Sequence, residues 1–357
     1  MFVFEGARLP LKNEISYSRN VFIPLTNMCR NRCSYCGFRR EPGNGSWFLS
    51  PRDAIELAKR GKETGCSEAL ITLGELPEVH AEARAKLKSF GYGSTVDYII
   101  EMCKEILGLG LLPHTNVGTL KLSELLFLRR YNASMGLMLE NAVELSAHEN
   151  SPGKKPELRI KTIEAAGELK IPFTTGILVG IGERFDDLIQ SILTIRDVHE
   201  RYGHIQEIII QPFDPKSGTQ MASCPRPDWS EFLGIVSFAR SVMPEISIQV
   251  PPNLLSRDGN PAQPGSKEFE NAVADAILAG ANDFGGVSSV TPDFINAESP
   301  WPSVEQLRLA IEHAGFIPRE RLPIYPSFVK EEVFMSREVR ERVHDLADAE
   351  GYRAETF

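Results

Sequence analysis

With 357 residues, of which 42% are hydrophobic and 24% charged, the chain is long enough for one large α/β barrel or for two ordinary domains. Its net charge of −9 disfavours nucleic acid and anionic membranes as partners, and no apolar run approaches the ~18 residues that a membrane span needs. The N-terminus, MFVFEGARLPLKNE, lacks a secretory apolar core and cleavage site, so the expected location is cytoplasmic. In that reducing setting clustered thiols bind metal more often than they pair.

In chain order, short β-branched runs alternate with stretches of helical periodicity. Strands are expected at VFIPLT (21–26), EALITL (68–73), LPHTNV (112–117), SMGLMLEN (134–141), FTTGILVG (173–180), EIIIQPF (207–213), SIQVP (247–251) and DFGGVSS (283–289). Helices fill the intervals. Ser50 caps the first and Pro51 opens it. Tyr98, Ile99, Met102, Cys103, Ile106 and Leu107 lie on one helix face, as do Phe185, Leu188, Ile189, Ile192 and Leu193. Gly110 and Gly280 stand where helices end, and Ser303 caps the last helix of the series. Eight such units predict a closed parallel (βα)8 barrel of TIM type. The alternative is a doubly wound open sheet, but the G-x-G-x-x-G fingerprint expected after its first strand is absent. No linker-like tract divides the chain. The expected division is a barrel with its N-terminal segment over 1–315 and a charged, helical C-terminal extension packed on it over 316–357.

In such a barrel the chemistry sits at the C-terminal ends of the strands. Cys29, Cys33 and Cys36 follow the first strand and Gly74-Glu75 the second. His114 and Asn116 lie on the third, Glu140 ends the fourth, and Thr175, Gly180 and Glu183 belong to the fifth and its loop. Gln211, Asn253 and Ser288 close the sixth, seventh and eighth units. The polar residues therefore converge on one mouth.

The cysteines are spaced C-x3-C-x2-C, with no second pair and no His within twenty residues of Cys36. Structural zinc wants four closed ligands. Three thiolates on a four-iron cluster leave one iron without a protein ligand, open to a small molecule. A structural zinc site and a non-catalytic iron–sulfur protein are the competing readings. Cys66, Cys103 and Cys224 read as structural.

This cysteine spacing, with Tyr35 before the last thiol, resembles the radical S-adenosylmethionine (SAM) superfamily. The resemblance implies a [4Fe–4S] cluster on Cys29, Cys33 and Cys36 and SAM chelating the open iron. It implies cleavage of SAM to methionine and a 5′-deoxyadenosyl radical that abstracts hydrogen from substrate. Gly74-Glu75 is similar to the end of the motif holding the SAM amino group, with Leu73 in place of its first glycine. GILVGIGE, from Gly176 to Glu183, is similar to the adenine-packing motif, with Leu178 standing for isoleucine. Glu140 takes the place of the ribose-binding residue and Arg159 that of the SAM-carboxylate partner, unless Arg159 is a solvated helix residue. Tyr35, Phe38 and Thr175 complete the implied cofactor-binding set.

Longer strings, among them ISYSRNVFIPLTNMCRNRCSYCGFRR, HENSPGKKPELRIKTIEAAGELKIPFTTGILVGIGE and DFGGVSSVTPDFINAESPWP, resemble the CofG family of coenzyme F420 biosynthesis. That resemblance implies a two-enzyme sequence. A CofH-type partner subunit, bound stably or transiently, joins a tyrosine-derived 4-hydroxybenzyl group to a ribityl-diaminouracil. The CofG-type enzyme closes the central ring of this tyrosine–diaminouracil adduct with loss of ammonia, giving the deazaflavin FO. A reductant such as ferredoxin or flavodoxin supplies the electron. His114, Asn116, Gln211, Asn253 and Ser288 are the expected substrate contacts, and no residue is assigned as catalytic. A menaquinone-pathway or biotin-synthase-like radical enzyme is the alternative. The missing extra cysteines on the strands weigh against sulfur insertion.

Overall fold

Eight parallel strands close into a barrel in the computed structural model, which describes residues 13–354. They are β1 (Glu14–Pro24), β2 (Glu68–Thr72), β3 (Leu112–Asn116), β4 (Ser134–Gly136), β5 (Phe173–Val179), β6 (Ile205–Pro212), β7 (Ser247–Gln249) and β8 (Asp283–Val287). Neighbours pair in chain order. β1 closes the ring, with Asn20 opposite Glu68 on β2 and Ser16 opposite Asp283 on β8. Closure excludes the open sheet. No helix among the described residues is long and apolar enough to cross a membrane.

Strands and helices bury one apolar layer between them. Val21, Ile23, Ile71, Ile177, Val179, Ile208 and Ile210 point outward from the strands into it. Tyr98, Ile99, Met102, Cys103 and Ile106 face them from the helix Thr95–Leu109. Each fully buried aliphatic side chain contributes roughly 1.5–3 kcal/mol, so this layer dominates stability. The caps fall as expected. Ser50 accepts from the Asp53 amide and Ser303 from the Gln306 amide, and Gly110 ends its helix at a φ of 98°. Phe185 departs from its expected face: it sits at the first position of its helix and is 44% exposed, while Leu188 and Ile192 are buried.

Three strands differ from expectation. β1 begins at Glu14 rather than Val21. In its first half the apolar Ile15 and Tyr17 face the helices, while Ser18 and Asn20 sit on the lumen side. β4 stops at Gly136, because the step from Leu137, bonded to Thr174, to Glu140, bonded to Gly176, spans three residues against two on β5 and breaks the register, leaving only an isolated bridge between Glu140, at a φ of 66°, and Ile177. A ninth strand, β9 (Ile317–Glu320), lies in the segment expected to be helical. Ser16 pairs with both Asp283 and Arg319, so β9 lies on the β1 edge opposite β8, the edge that β2 occupies from Asn20 onward.

The residue after β9, Arg321, enters the N-terminal end of the barrel. Its Nε lies 2.7 Å from Asp283, and its Nη atoms lie 3.2 Å from Glu207 and 3.9 Å from Glu68. The Tyr325 ring stacks on the guanidinium at 4.4 Å. Burial opposes the Arg321 charge, but Asp283 and its other acidic neighbours hold its pKa well above the usual value. Burial also raises Glu68 and pushes Glu207 up to about 7. The floor of the barrel is thus an ion cluster, not the layered branched apolar packing usual for this fold.

Candidate active site at the barrel mouth

The loop after β1 carries Cys29, Cys33 and Cys36 across the mouth, all three half-buried and none in a disulfide. Cys29 Sγ accepts hydrogen bonds from the amides of Asn31 (3.3 Å) and Glu75 (3.2 Å), and Cys33 Sγ accepts one from the Ser151 hydroxyl (3.3 Å). Burial pushes the Cys29 thiol up to about 11 and raises Cys33, and the neighbouring thiols add to both shifts. Mutually repelling, half-buried thiols with N–H and O–H donors aimed at their sulfurs suit a cationic iron–sulfur group. Among the described residues no three His, Cys, Asp or Glu side chains converge on a single metal ion.

Gly74 lets the end of β2 pass beneath this loop. A Cβ there would stand 2.1 Å from the Met28 carbonyl oxygen and 2.7 Å from Cys29 Cβ. Glu75 beside it is wedged between two more glycines. Cβ atoms on Gly118 and Gly153 would come within 2.3 and 2.0 Å of its side chain. Its carboxylate accepts from Arg30 Nε (3.1 Å), Thr119 Oγ1 (2.8 Å) and Asn31 Nδ2 (3.0 Å), and Arg159 Nη1 lies 3.6 Å away. Burial alone would raise this carboxyl, but Arg159 and Arg30 hold it below the usual range.

Arg159, on the helix Pro156–Glu168, is only 3% exposed, so it is not a solvated helix residue. Its Nε donates to the Met138 carbonyl and its Nη1 to that of Gly153. Its Nη2 reaches within 3.8 Å of Glu140, placing the guanidinium between Glu75 and Glu140. Lys154 also pairs with Glu140. The Lys154-Lys155 pair reads from sequence as a solvated loop; Lys154 instead folds back into the site. Burial works to raise Glu140, but Lys154 and Arg159 keep its carboxyl low.

A small apolar cluster joins Leu178 to Phe213, Ile181 and Ala147, with Tyr35 against it. The Tyr35 hydroxyl lies 3.0 Å from His148 Nε2, and burial lowers His148 to about 4, leaving the imidazole neutral. Sequence reasoning missed His148, whose one signal was its place in a loop between a barrel strand and its helix. Phe38 stands edge-on to Trp47, which in turn contacts Phe294, and Phe294 stacks on Phe22. This aromatic path leads from the cysteine loop into the lumen.

Other expected residues take different places. Thr175 shares its strand side with Ile177 and Val179, away from the lumen that Thr174 lines. The Glu183 carboxylate accepts from the amides of Gly180 (2.5 Å) and Ile181 (2.8 Å) and so closes the turn after β5. Ser288 bonds Thr291 through its hydroxyl and is not in the cavity wall.

His114, Asn116, Gln211 and Asn253 do meet, in the wall of one lumen cavity of about 180 Å3 that runs down to Glu207 and Arg321. Burial lowers His114 to about 3, so its ring is neutral, and its Nδ1 lies 2.7 Å from the Ser134 hydroxyl. A separate cavity of about 370 Å3 opens at the opposite end of the barrel, beside Arg240 and Tyr325 and away from the cysteines.

Comparison with known proteins shows the family of the chain. Residues 23–195 match the family model of the Radical SAM superfamily. The chain is 46% identical over 346 residues to the 7,8-didemethyl-8-hydroxy-5-deazariboflavin synthase of Methanopyrus kandleri, covering 95% of this chain and 99% of that one. It is 49% identical over 340 residues to the synthase of the same description from Archaeoglobus fulgidus, covering 95% and 98%. Among solved structures, the FeFe-hydrogenase maturase HydG from Carboxydothermus hydrogenoformans superposes with a TM-score of 0.67 at 19% identity, over 94% of this chain and 79% of that one. Methylornithine synthase (PylB) superposes with a TM-score of 0.64 at 19% identity, over 86% and 84%. These two likenesses speak to the fold alone.

Proposed function

The chain belongs to the radical SAM superfamily and, within it, to the 7,8-didemethyl-8-hydroxy-5-deazariboflavin synthase family, and from that premise we propose that it closes the deazaflavin ring of FO from a tyrosine–diaminouracil adduct. The observation that carries this reading is the cysteine loop laid over a polar lumen. A barrel whose interior served only stability would be filled with branched apolar side chains.

In this reading Cys29, Cys33 and Cys36 hold a [4Fe–4S] cluster, and the Asn31, Glu75 and Ser151 donors stabilise the thiolate sulfurs. When bound, the cluster and SAM supply a 5′-deoxyadenosyl radical that abstracts hydrogen from the adduct. The chain's own residues bind and orient. Arg30, Lys154 and Arg159 set three positive charges against the two carboxylates of Glu75 and Glu140, leaving one positive charge in excess. That excess suits the carboxylate of SAM, with Arg159 offering a planar fork. Glu75 is the acceptor for the SAM amino group and Glu140 for the ribose hydroxyls. The Tyr35, Leu178 and Phe213 cluster receives the adenine and excludes water. Gly74 and Glu183 act at one remove, by setting the paths of the cysteine loop and the β5 turn. Thr175 holds no place in this scheme.

The adduct comes from a CofH-type partner, and a small reductant of the ferredoxin or flavodoxin kind supplies the electron. The test is anaerobic. The reconstituted chain is mixed with that partner, tyrosine, the ribityl-diaminouracil, dithionite and SAM. Deazaflavin fluorescence that needs both proteins supports the reading. Deoxyadenosine without deazaflavin, beside an active partner, sends the enzyme to another substrate.

A further inference from the structure

We propose that the polar lumen seats the ribityl arm of the substrate, held by Asn20, Asn296 and Trp301 above a floor formed by Arg321 and Glu207. This inference rests on the synthase reading above and specifies how its substrate enters.

The lumen is built to be polar. A Cβ on Gly286 would come within 2.0 Å of Asn20 Nδ2, one on Gly285 within 2.4 Å of Gln249 Nε2, and one on Gly136 within 2.9 Å of His114 Nε2. Glycines on two strands thus make room for two amides and an imidazole, where barrels of this type carry branched apolar residues. The wall is also incompletely satisfied. Asn20 Oδ1, Asn253 Oδ1, Asn296 Oδ1 and Trp301 Nε1 are all buried without a hydrogen-bond partner, and all four residues line the same cavity. Buried polar atoms are ordinarily paired, so four unpartnered atoms around one space are placed to bind a polar guest. Orphans of both kinds, acceptors and a donor, match hydroxyl groups, each of which donates and accepts.

Size and direction select the arm. The cavity, of about 180 Å3, has room for a hydroxylated chain. The reacting carbons must face the cysteine loop. The ribityl chain takes no part in ring closure and can point inward. Phe22 lines the lumen and is linked through Phe294 and Trp47 to Phe38 beside the cysteine loop, an aromatic side against which flat rings fit. Below it, Arg321 is already paired with Asp283 and Glu207, and Glu207 also accepts from Thr174, so the floor sets the depth of entry.

The experiment compares the natural adduct with one carrying a methyl group in place of ribityl. It measures kcat/KM by deazaflavin fluorescence, with deoxyadenosine and cluster absorbance recorded in parallel. The wild type is expected to prefer the ribityl adduct by on the order of 100-fold, because losing the hydroxyls leaves buried polar groups unpaired. Asn20→Ala and Trp301→Phe are each expected to cut that preference at least tenfold with the cluster absorbance intact. Trp301→Phe keeps an aromatic ring in place while removing the donor, so it stays informative if Asn20→Ala folds poorly. A wild type indifferent to the arm, or variants that keep the full preference, overturns the proposal. A wild type that makes no deazaflavin from the ribityl adduct refutes the synthase reading itself, and the two failures are thereby told apart.

Discussion

Replacing Arg159 with alanine tests the electrostatics of the site most sharply. The guanidinium is almost fully buried, donates to the Met138 and Gly153 carbonyls, and stands 3.6 Å from Glu75 and 3.8 Å from Glu140. Its loss leaves two buried carboxylates against Arg30 and Lys154 alone. Breaking a buried ion pair from one side costs about 3–5 kcal/mol, so the folded variant should melt several degrees lower. A charge-assisted hydrogen bond contributes about 1.5–3 kcal/mol, so SAM affinity should fall between about tenfold and about 150-fold. Since burial alone would raise both carboxyls, removing Arg159 should shift Glu75 and Glu140 upward, and the affinity of the variant should drop further at mildly acidic pH. Anaerobic calorimetry of SAM binding, with iron analysis alongside, reads this directly. Arg159→Lys should recover part of the affinity, because it keeps the charge without the fork. SAM affinity within twofold of wild type, at unchanged iron content, would refute the assignment of the carboxylate partner.

Cys29→Ala, Cys33→Ala and Cys36→Ala should each abolish reductive SAM cleavage, and deoxyadenosine from any one of them sinks the cluster assignment. Gly74→Ala forces a Cβ to 2.1 Å from the Met28 carbonyl, so it should displace the cysteine loop and lower iron retention severalfold in a soluble protein; full iron loading would contradict the tight fit. At the floor, Glu207 is raised to about 7 by burial. A raised carboxyl contributes stability that is fully present below its unfolded value, near 4.5, and is lost as pH rises through about 7. Denaturant unfolding between those limits should show that decline, and Glu207→Gln should flatten it; an unchanged slope would show that Glu207 does not titrate there.

The eight barrel strands were legible because β-branched runs recur between helical stretches, and the site followed once polar residues were placed at their ends. What escaped has physical causes. The first half of β1 hides because its polar side, Ser18 and Asn20, faces inward and reads as surface. The four residues of β9 carry no clear alternation, and Arg321 after them looks like any solvated charge until the chain closes over it. Lys154 and His148 sit in a loop, where sequence does not reveal which side chains fold back. Thr175 was within reach: alternation along β5 groups it with Ile177 and Val179 and turns it from the lumen. Ser288 lies at the expected strand end, yet its hydroxyl is used by the local turn with Thr291.

The most direct test of the central claim is an anaerobic single turnover with purified adduct and no partner protein. The reconstituted chain, SAM and one-electron reductant are quenched over time, and FO, 5′-deoxyadenosine and ammonia are quantified together. The account predicts that all three rise in step and in equal amounts. Deoxyadenosine accumulating while the adduct remains intact would contradict it.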